Sequence, residues 1–261
     1  MGIDAMPGSP RSLRSRLQAK TCTGIFSKAL DSAFVEAAGH AQLDFIILDT
    51  EHGPAGWETI QNHIRAARLT NMAPLVRVRG LDSHAIGAAL DAGAAGVQVP
   101  SITTATQAEE AVDAARFHPS GQRGVCRFVR AAGYGAMGKA AYFKTENEKL
   151  LILQVEGLEG VENIDAILAV PGFDVLFVGP YDLSQSAGRP GDVEAPEVRE
   201  LIDQIAIATV NAGKTLGIFC DTLDALSRYR DMGVSYLAYS VDISLFREAL
   251  ETLQKNVNAD A

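Results

Sequence analysis

The chain has 261 residues, with 23 Lys and Arg against 32 Asp and Glu, a formal net charge of −9 at pH 7. That balance argues against a general nucleic-acid binder, which needs a basic face, and 47% hydrophobic with 21% charged residues is the composition of a globular chain. Apolar runs such as residues 45–48 are strand-sized and fall short of the ~18–20 residues of a membrane helix, and three scattered cysteines, Cys22, Cys126 and Cys220, fit a reducing compartment better than a disulfide or Cys-zinc framework.

Residues 1–20 open polar, without the apolar stretch of a secretory signal. They are expected to form a flexible segment with room for a short helix, and residues 21–261 read as one folded domain. Short, almost wholly apolar strands are expected at 22–26, 44–48, 75–78, 96–99, 150–155, 175–178, 216–219 and 236–239. Amphipathic helices are expected at 31–40, 57–69, 83–92, 104–117, 195–212, 222–232 and 243–257, with a weaker helical pattern at 159–168. Strands apolar on both faces belong to a parallel sheet covered by helices. Eight of them alternating with eight helices is the arithmetic of an α/β fold of the (β/α)8, TIM-barrel class. The rival, an open doubly wound sheet, carries a Gly-rich phosphate turn after its first strand. Here that strand runs instead into Phe26-Ser27-Lys28-Ala29. Residues 118–147 are too many for an ordinary connection and read as an interface arm or as a cover over an active site, with a helix inside 136–147.

Chemistry in such a barrel sits at the C-terminal ends of the strands, and the residues there are polar. Glu156 and Asp182 follow the fifth and sixth strands. Two neighbouring carboxylates repel unless a proton or cation lies between them, and a hard divalent ion, Mg²⁺ or Mn²⁺, suits an oxygen donor set. Gln154, two residues before Glu156, shares its side of the strand. Asp49 and His52 follow the second strand; a carboxylate beside an imidazole is the usual dress of a general base. Arg77 ends the third strand, where a guanidinium is costly without an anion. That anion is a substrate oxygen, or else Asp49 or Glu51 in an internal salt bridge. Arg79 is a second candidate on the same face, and Arg123 reads as an interface group.

Six motifs in order carry a resemblance. They are Asp49-Thr50-Glu51-His52-Gly53, Leu75-Val76-Arg77-Val78, Gly93-Ala94-Ala95-Gly96-Val97-Gln98-Val99-Pro100, Gly121-Gln122-Arg123-Gly124-Val125, Gln154-Val155-Glu156 and Gly179-Pro180-Tyr181-Asp182-Leu183-Ser184. Together they resemble the HpcH/HpaI family of class II, metal-dependent pyruvate aldolases, in register over residues 24–253. The resemblance implies a (β/α)8 barrel, often with its last helix exchanged between subunits, in a cytoplasmic homohexamer built as a trimer of dimers. It implies reversible cleavage of a 4-hydroxy-2-oxo acid to pyruvate and an aldehyde through a metal-stabilised enolate. Mg²⁺ or Mn²⁺ is the expected cofactor, with Co²⁺ a further candidate, and neither nucleic acid nor membrane is an expected partner. Glu156 and Asp182 match the metal ligands, His52 the base with Asp49 as its partner, and Arg77 the group that holds the ketoacid oxygens. Gln154 and the backbone at Tyr181 and Asp182 match the substrate-binding positions, and Asp91 falls where some members lend a carboxylate to a neighbouring subunit. Tyr181 departs from the usual small residue, and Arg127 and Arg130 are added cations that could meet an anionic substrate. The alternatives are a related carbon–carbon lyase or synthase on the same site, citrate-synthase-like or oxaloacetate-decarboxylating, and a non-catalytic binding barrel.

Overall fold

In the computed structural model, which describes residues 12–259, the eight apolar segments become strands whose ladder closes on itself. They are β1 (Cys22–Ser27), β2 (Phe45–Asp49), β3 (Ala73–Arg77), β4 (Gly96–Val99), β5 (Leu150–Val155), β6 (Val175–Val178), β7 (Thr215–Cys220) and β8 (Tyr236–Val241). All pair in parallel and in chain order, and β8 returns to β1. The helices are α1 (Leu13–Leu17), α2 (Ser32–His40), α3 (Trp57–Ala67), α4 (Ser83–Asp91), α5 (Ala105–Ala115), α6 (Lys139–Asn147), α7 (Leu158–Glu162), α8 (Ile164–Leu168), α9 (Pro180–Ser186), α10 (Pro196–Asn211), α11 (Leu223–Asp231) and α12 (Asp242–Ala259). This is the (β/α)8 barrel in a single domain.

Strand alternation divides the core in two. Phe45, Ile47, Leu75, Leu150, Ile152, Val175 and Phe177 fill the barrel interior, while Ile46, Leu48, Val76, Leu151, Leu153 and Leu176 meet the helices outside. The same two-residue period carries the inward side past the apolar layers to Asp49, Arg77, Gln98, Gln154 and Glu156. Burial therefore dictates where the polar groups point. At the other end α1 closes the barrel: Leu13 and Leu17 join the interior cluster, Arg14 pairs with Asp174 at 2.8 Å, and Arg16 with Asp44 at 2.9 Å. The part of the expected N-terminal segment at 1–11 lies outside the described residues.

Three local readings differ from expectation. The third strand starts two residues early, at Ala73, because Pro74 near a strand start removes only one donor. The helix expected over 159–168 is two helices meeting at Asn163. The turn at Gly179-Pro180 opens a helix, α9, with Pro180 at its first position, where the missing N–H has no helical partner in any case.

The excursion after α5 holds a 3₁₀ turn at Arg130–Gly135 and then α6. It has a small core of its own, Phe117, Ala132 and Tyr142. Arg123, expected as an interface group, has its partners within its own chain: it lies buried on the Phe117 ring, 4.5 Å from its centroid, and pairs with Asp91 at 2.6 Å and Glu146 at 3.2 Å. Arg127 donates to the carbonyls of Gly135 and Met137, and Arg130 to that of Ala92, so each supports local backbone.

Candidate active site

At the C-terminal end of the barrel a cavity of about 150 Å³ opens between Phe26, Lys28, His52, Arg77, Gln154, Phe177, Phe219, Val241 and the segment Gly179-Pro180-Tyr181-Asp182. No residue of 118–147 lines it, so the excursion does not cover its own chain's cavity.

Arg77 and Asp49 face each other because β2 and β3 pair them in register. The guanidinium grips the carboxylate with two bonds, Nε to Oδ1 at 3.0 Å and Nη2 to Oδ2 at 2.8 Å, and its Nη1 lies 3.0 Å from Glu51 Oε2. Asp49 Oδ1 also accepts from the backbone N–H groups of Glu51 and His52. Burial alone would raise the Asp49 pKa, but the hydrogen bonds and charge of Arg77 outweigh it and hold the carboxyl below its ordinary value. The expected pairing of Asp49 with the His52 imidazole is therefore corrected. Asp49 holds the His52 backbone, while the His52 ring, 59% exposed on the loop beyond β2, has Glu51 Oε2 at 4.0 Å. Asp49 ends a buried strand aimed at Arg77, and its acceptor sites are occupied there.

Of the two alternatives first considered for Arg77, the internal salt bridge is present. It is salt-bridged to Asp49 and Glu51, and it lines the cavity. Glu51 bears the cost of this crowding. Burial pushes its pKa up to about 7; Arg77 opposes the rise, and the nearby Glu156, Asp49 and Asp182 charges add to it. Arg79 is exposed and donates to the Thr50 carbonyl, away from the cavity lining.

Across the barrel, Glu156 is held from both sides. Ser101 donates to its Oε1 from backbone N (2.8 Å) and Oγ (3.0 Å), and Gln154 Nε2 donates to Oε2. Gln154 in turn accepts from the fully buried Gln98 at 2.5 Å, so two amides from adjacent strands aim the carboxylate. Gly179 leaves room for it: a Cβ there would stand 2.6 Å from Glu156 Oε2. Burial raises the Glu156 pKa, with the Asp182 charge adding to the rise. Asp182 is exposed in the first turn of α9, and neither acid has a Lys, Arg or His ion pair among the described residues. Two uncompensated carboxylates, of which Glu156 is fixed from behind, suit a hard divalent cation. No third His, Cys, Asp or Glu among the described residues stands where it could join them in holding an ion, so other ligands would be backbone, water or substrate oxygens. Tyr181 OH donates to Asp221 Oδ2 at 2.5 Å, and its ring packs edge-on to Phe219 at the cavity rim.

Sequence reasoning missed Gln98, Ser101 and Lys28 as parts of this site. Gln98 is the one polar residue of its strand, and Ser101 and Lys28 directly follow strands, the signal that singled out the others.

The HpcH/HpaI aldolase/citrate lyase family model matches residues 22–249. The chain belongs to this family. It is 35% identical to the hydroxypyruvate/pyruvate aldolase of Chromohalobacter salexigens and 33% identical to the 5-keto-4-deoxy-D-glucarate aldolase of Shigella boydii, in both cases over 96% of this chain and 98% of the relative. A solved HpcH/HpaI aldolase/citrate lyase family protein from Burkholderia cenocepacia superposes with a TM-score of 0.90 at 33% identity, covering 95% of this chain and 99% of that one. The family is one of carbon–carbon lyases, and the six motifs fall on the strand ends that line or brace the cavity and on the Arg123 loop. No helix among the described residues is long and apolar enough to cross a membrane.

Proposed function

We propose that this protein cleaves a 4-hydroxy-2-oxo acid reversibly to pyruvate and an aldehyde, using a divalent metal. The observation that carries this reading is the Glu156/Asp182 pair, one carboxylate braced and the other exposed, neither with a cation, beside a cavity that also presents Arg77 and His52. The names of the relatives, both aldolases of oxo acids, support it.

Glu156 and Asp182 would hold Mg²⁺ or Mn²⁺, and the ion supplies Lewis acidity toward the ketoacid oxygens. Arg77 cannot swing away, because Asp49 grips it bidentately, so its positive edge stands ready where negative charge develops on the substrate. His52, exposed to the cavity, takes the proton of the 4-hydroxyl as the C3–C4 bond breaks and returns it in synthesis. Asp49 serves this chemistry through position, fixing Arg77 and the His52 backbone. The cavity-lining imidazole favours aldol chemistry over the citrate-lyase side of the family.

The proposal extends to assembly. Ile243, Phe246, Leu250, Leu253 and Val257 recur at three- and four-residue spacing on α12 and are each 49–60% exposed. That stripe supports exchange or docking of the last helix between copies in a cytoplasmic homo-oligomer, a trimer of dimers. The test of the site is calorimetric: wild type binds Mn²⁺ with about one site per chain and Glu156→Gln loses that heat. Undiminished binding in the variant refutes the assignment.

A further inference from the structure

A groove at the end of the barrel remote from the cavity is rich in cations. Arg14, Arg16, Arg68 and Lys149 line one space of about 510 Å³ there, and Glu148 is the one acid beside them among the described residues. Ala73 and Leu150, the first residues of β3 and β5, form part of its wall, which places it at the N-terminal ends of the strands.

The acids behind the groove are fewer than the cations they serve. Asp174 is shared by Arg14 at 2.8 Å and Arg116 at 3.3 Å, and Asp44 by Arg16 at 2.9 Å and Lys20 at 2.8 Å. The buried Glu146 pairs with Arg123 at 3.2 Å and lies 3.7 Å from Lys149 Nζ, beyond a hydrogen bond. Arg68, the C-cap residue of α3, has no ion pair among the described residues and gives Nη2 to the Gly93 carbonyl at 2.7 Å. That backbone contact leaves its Nε and Nη1 unspent. Arg14 likewise bonds through Nη2 alone, to Asp174 and the Lys149 carbonyl. Burial lowers the Lys149 pKa; the Glu146 charge opposes the fall and the Arg68 charge adds to it, so Arg68 and Lys149 stand within Coulombic reach of each other.

We propose that this groove binds a phosphate group, met by Arg14 from α1, Arg68 from the end of α3 and Lys149 from the link between α6 and β5. A phosphate carries up to two charges, and its tetrahedral oxygens accept from several directions, which suits cations arriving from three elements. Guanidinium forks grip such oxygens in pairs, and an ammonium adds a point charge. A single carboxylate, planar and with one charge, would answer fewer of these donors. The groove is larger than a phosphate ion, and Met72, Ala73 and Leu150 give it an apolar wall. Free phosphate and a phosphate ester therefore share the chemistry of the site, and the experiment separates them. Because Arg14 belongs to the helix that closes the barrel, an anion held there also ties α1 to the strands above it.

The full chain is titrated calorimetrically in buffer containing chelator, at fixed ionic strength, with inorganic phosphate and with glucose 6-phosphate. Binding is read without turnover, so the result does not depend on the aldolase reading. Wild type takes up the phosphate group saturably, at about one per chain. Arg68→Gln and Lys149→Gln each weaken the uptake by about ten-fold or more, the loss of one charge-assisted hydrogen bond. Circular dichroism melting shows whether each variant folds, and if one does not the other decides. Tighter binding of glucose 6-phosphate identifies a phosphate ester as the ligand, and tighter binding of phosphate the free ion; both outcomes support the site. No saturable uptake of either probe overturns the proposal. Uptake undiminished in a folded variant also overturns it, because the anion then sits elsewhere on the chain.

Discussion

At the scale of single residues, the site consists of charges whose partners are chosen by strand parity. Asp49, Arg77, Gln154 and Glu156 were legible because each breaks an apolar run at a strand end, a place burial would not choose. Their pairing was not legible. Whether Asp49 meets His52 or Arg77 depends on the register of β2 against β3, and no spacing along the chain encodes that. Two expectations follow from the pairing found. Arg77→Ala lowers kcat/KM by about 10²–10³-fold, the usual loss for one oxyanion donor. It also destabilises the fold by about 3–5 kcal/mol, because Asp49 is left as an uncompensated buried charge; steady-state kinetics and urea unfolding read the two effects separately. Glu51 gives a pH signature. Its pKa is about 7 in the fold against 4.5 as an unperturbed carboxyl, so the folded chain keeps a proton that the unfolded chain releases. Stability therefore falls as pH rises from about 4.5 to about 7. With chelator present, the melting temperature of Glu51→Gln should gain on wild type across that window and hold its lead above it. A constant difference across the window would contradict this account of Glu51.

At the scale of elements, the strands were read to within two residues at each end, because three to six consecutive buried positions leave a continuous apolar run. What escaped was the division of the helical stretch at 159–168 into α7 and α8, and the whole of α9. α7, α8 and α9 have five to seven residues each, too few for a helical period to stand out, and the Gly-Pro before α9 reads equally as a turn. The last helix was expected, but its outer face is the more telling feature. Phe246 meets Phe34 of α2 at 5.9 Å between ring centroids, while the rest of the stripe has little cover from its own chain. Leu250→Glu with Leu253→Glu should reduce the mass seen by sedimentation and leave the helical circular dichroism in place. An unchanged mass would show that α12 is not the assembly surface.

At the scale of the molecule, the charge of −9 acquires a location. Asp49, Glu51, Glu156 and Asp182 crowd one end of the barrel. Arg77 and Lys28 offset the first two, and the last two are left to an external cation. The account therefore predicts that the ketoacid half of the reaction depends on metal and on no lysine. The most direct test is proton exchange at the pyruvate methyl group in deuterated buffer, with borohydride added to a parallel sample. The account predicts exchange that needs Mg²⁺ or Mn²⁺, stops with chelator and is lost in Glu156→Gln, with no covalent adduct. Exchange that survives chelation, or pyruvate trapped on Lys28 by borohydride, would contradict it.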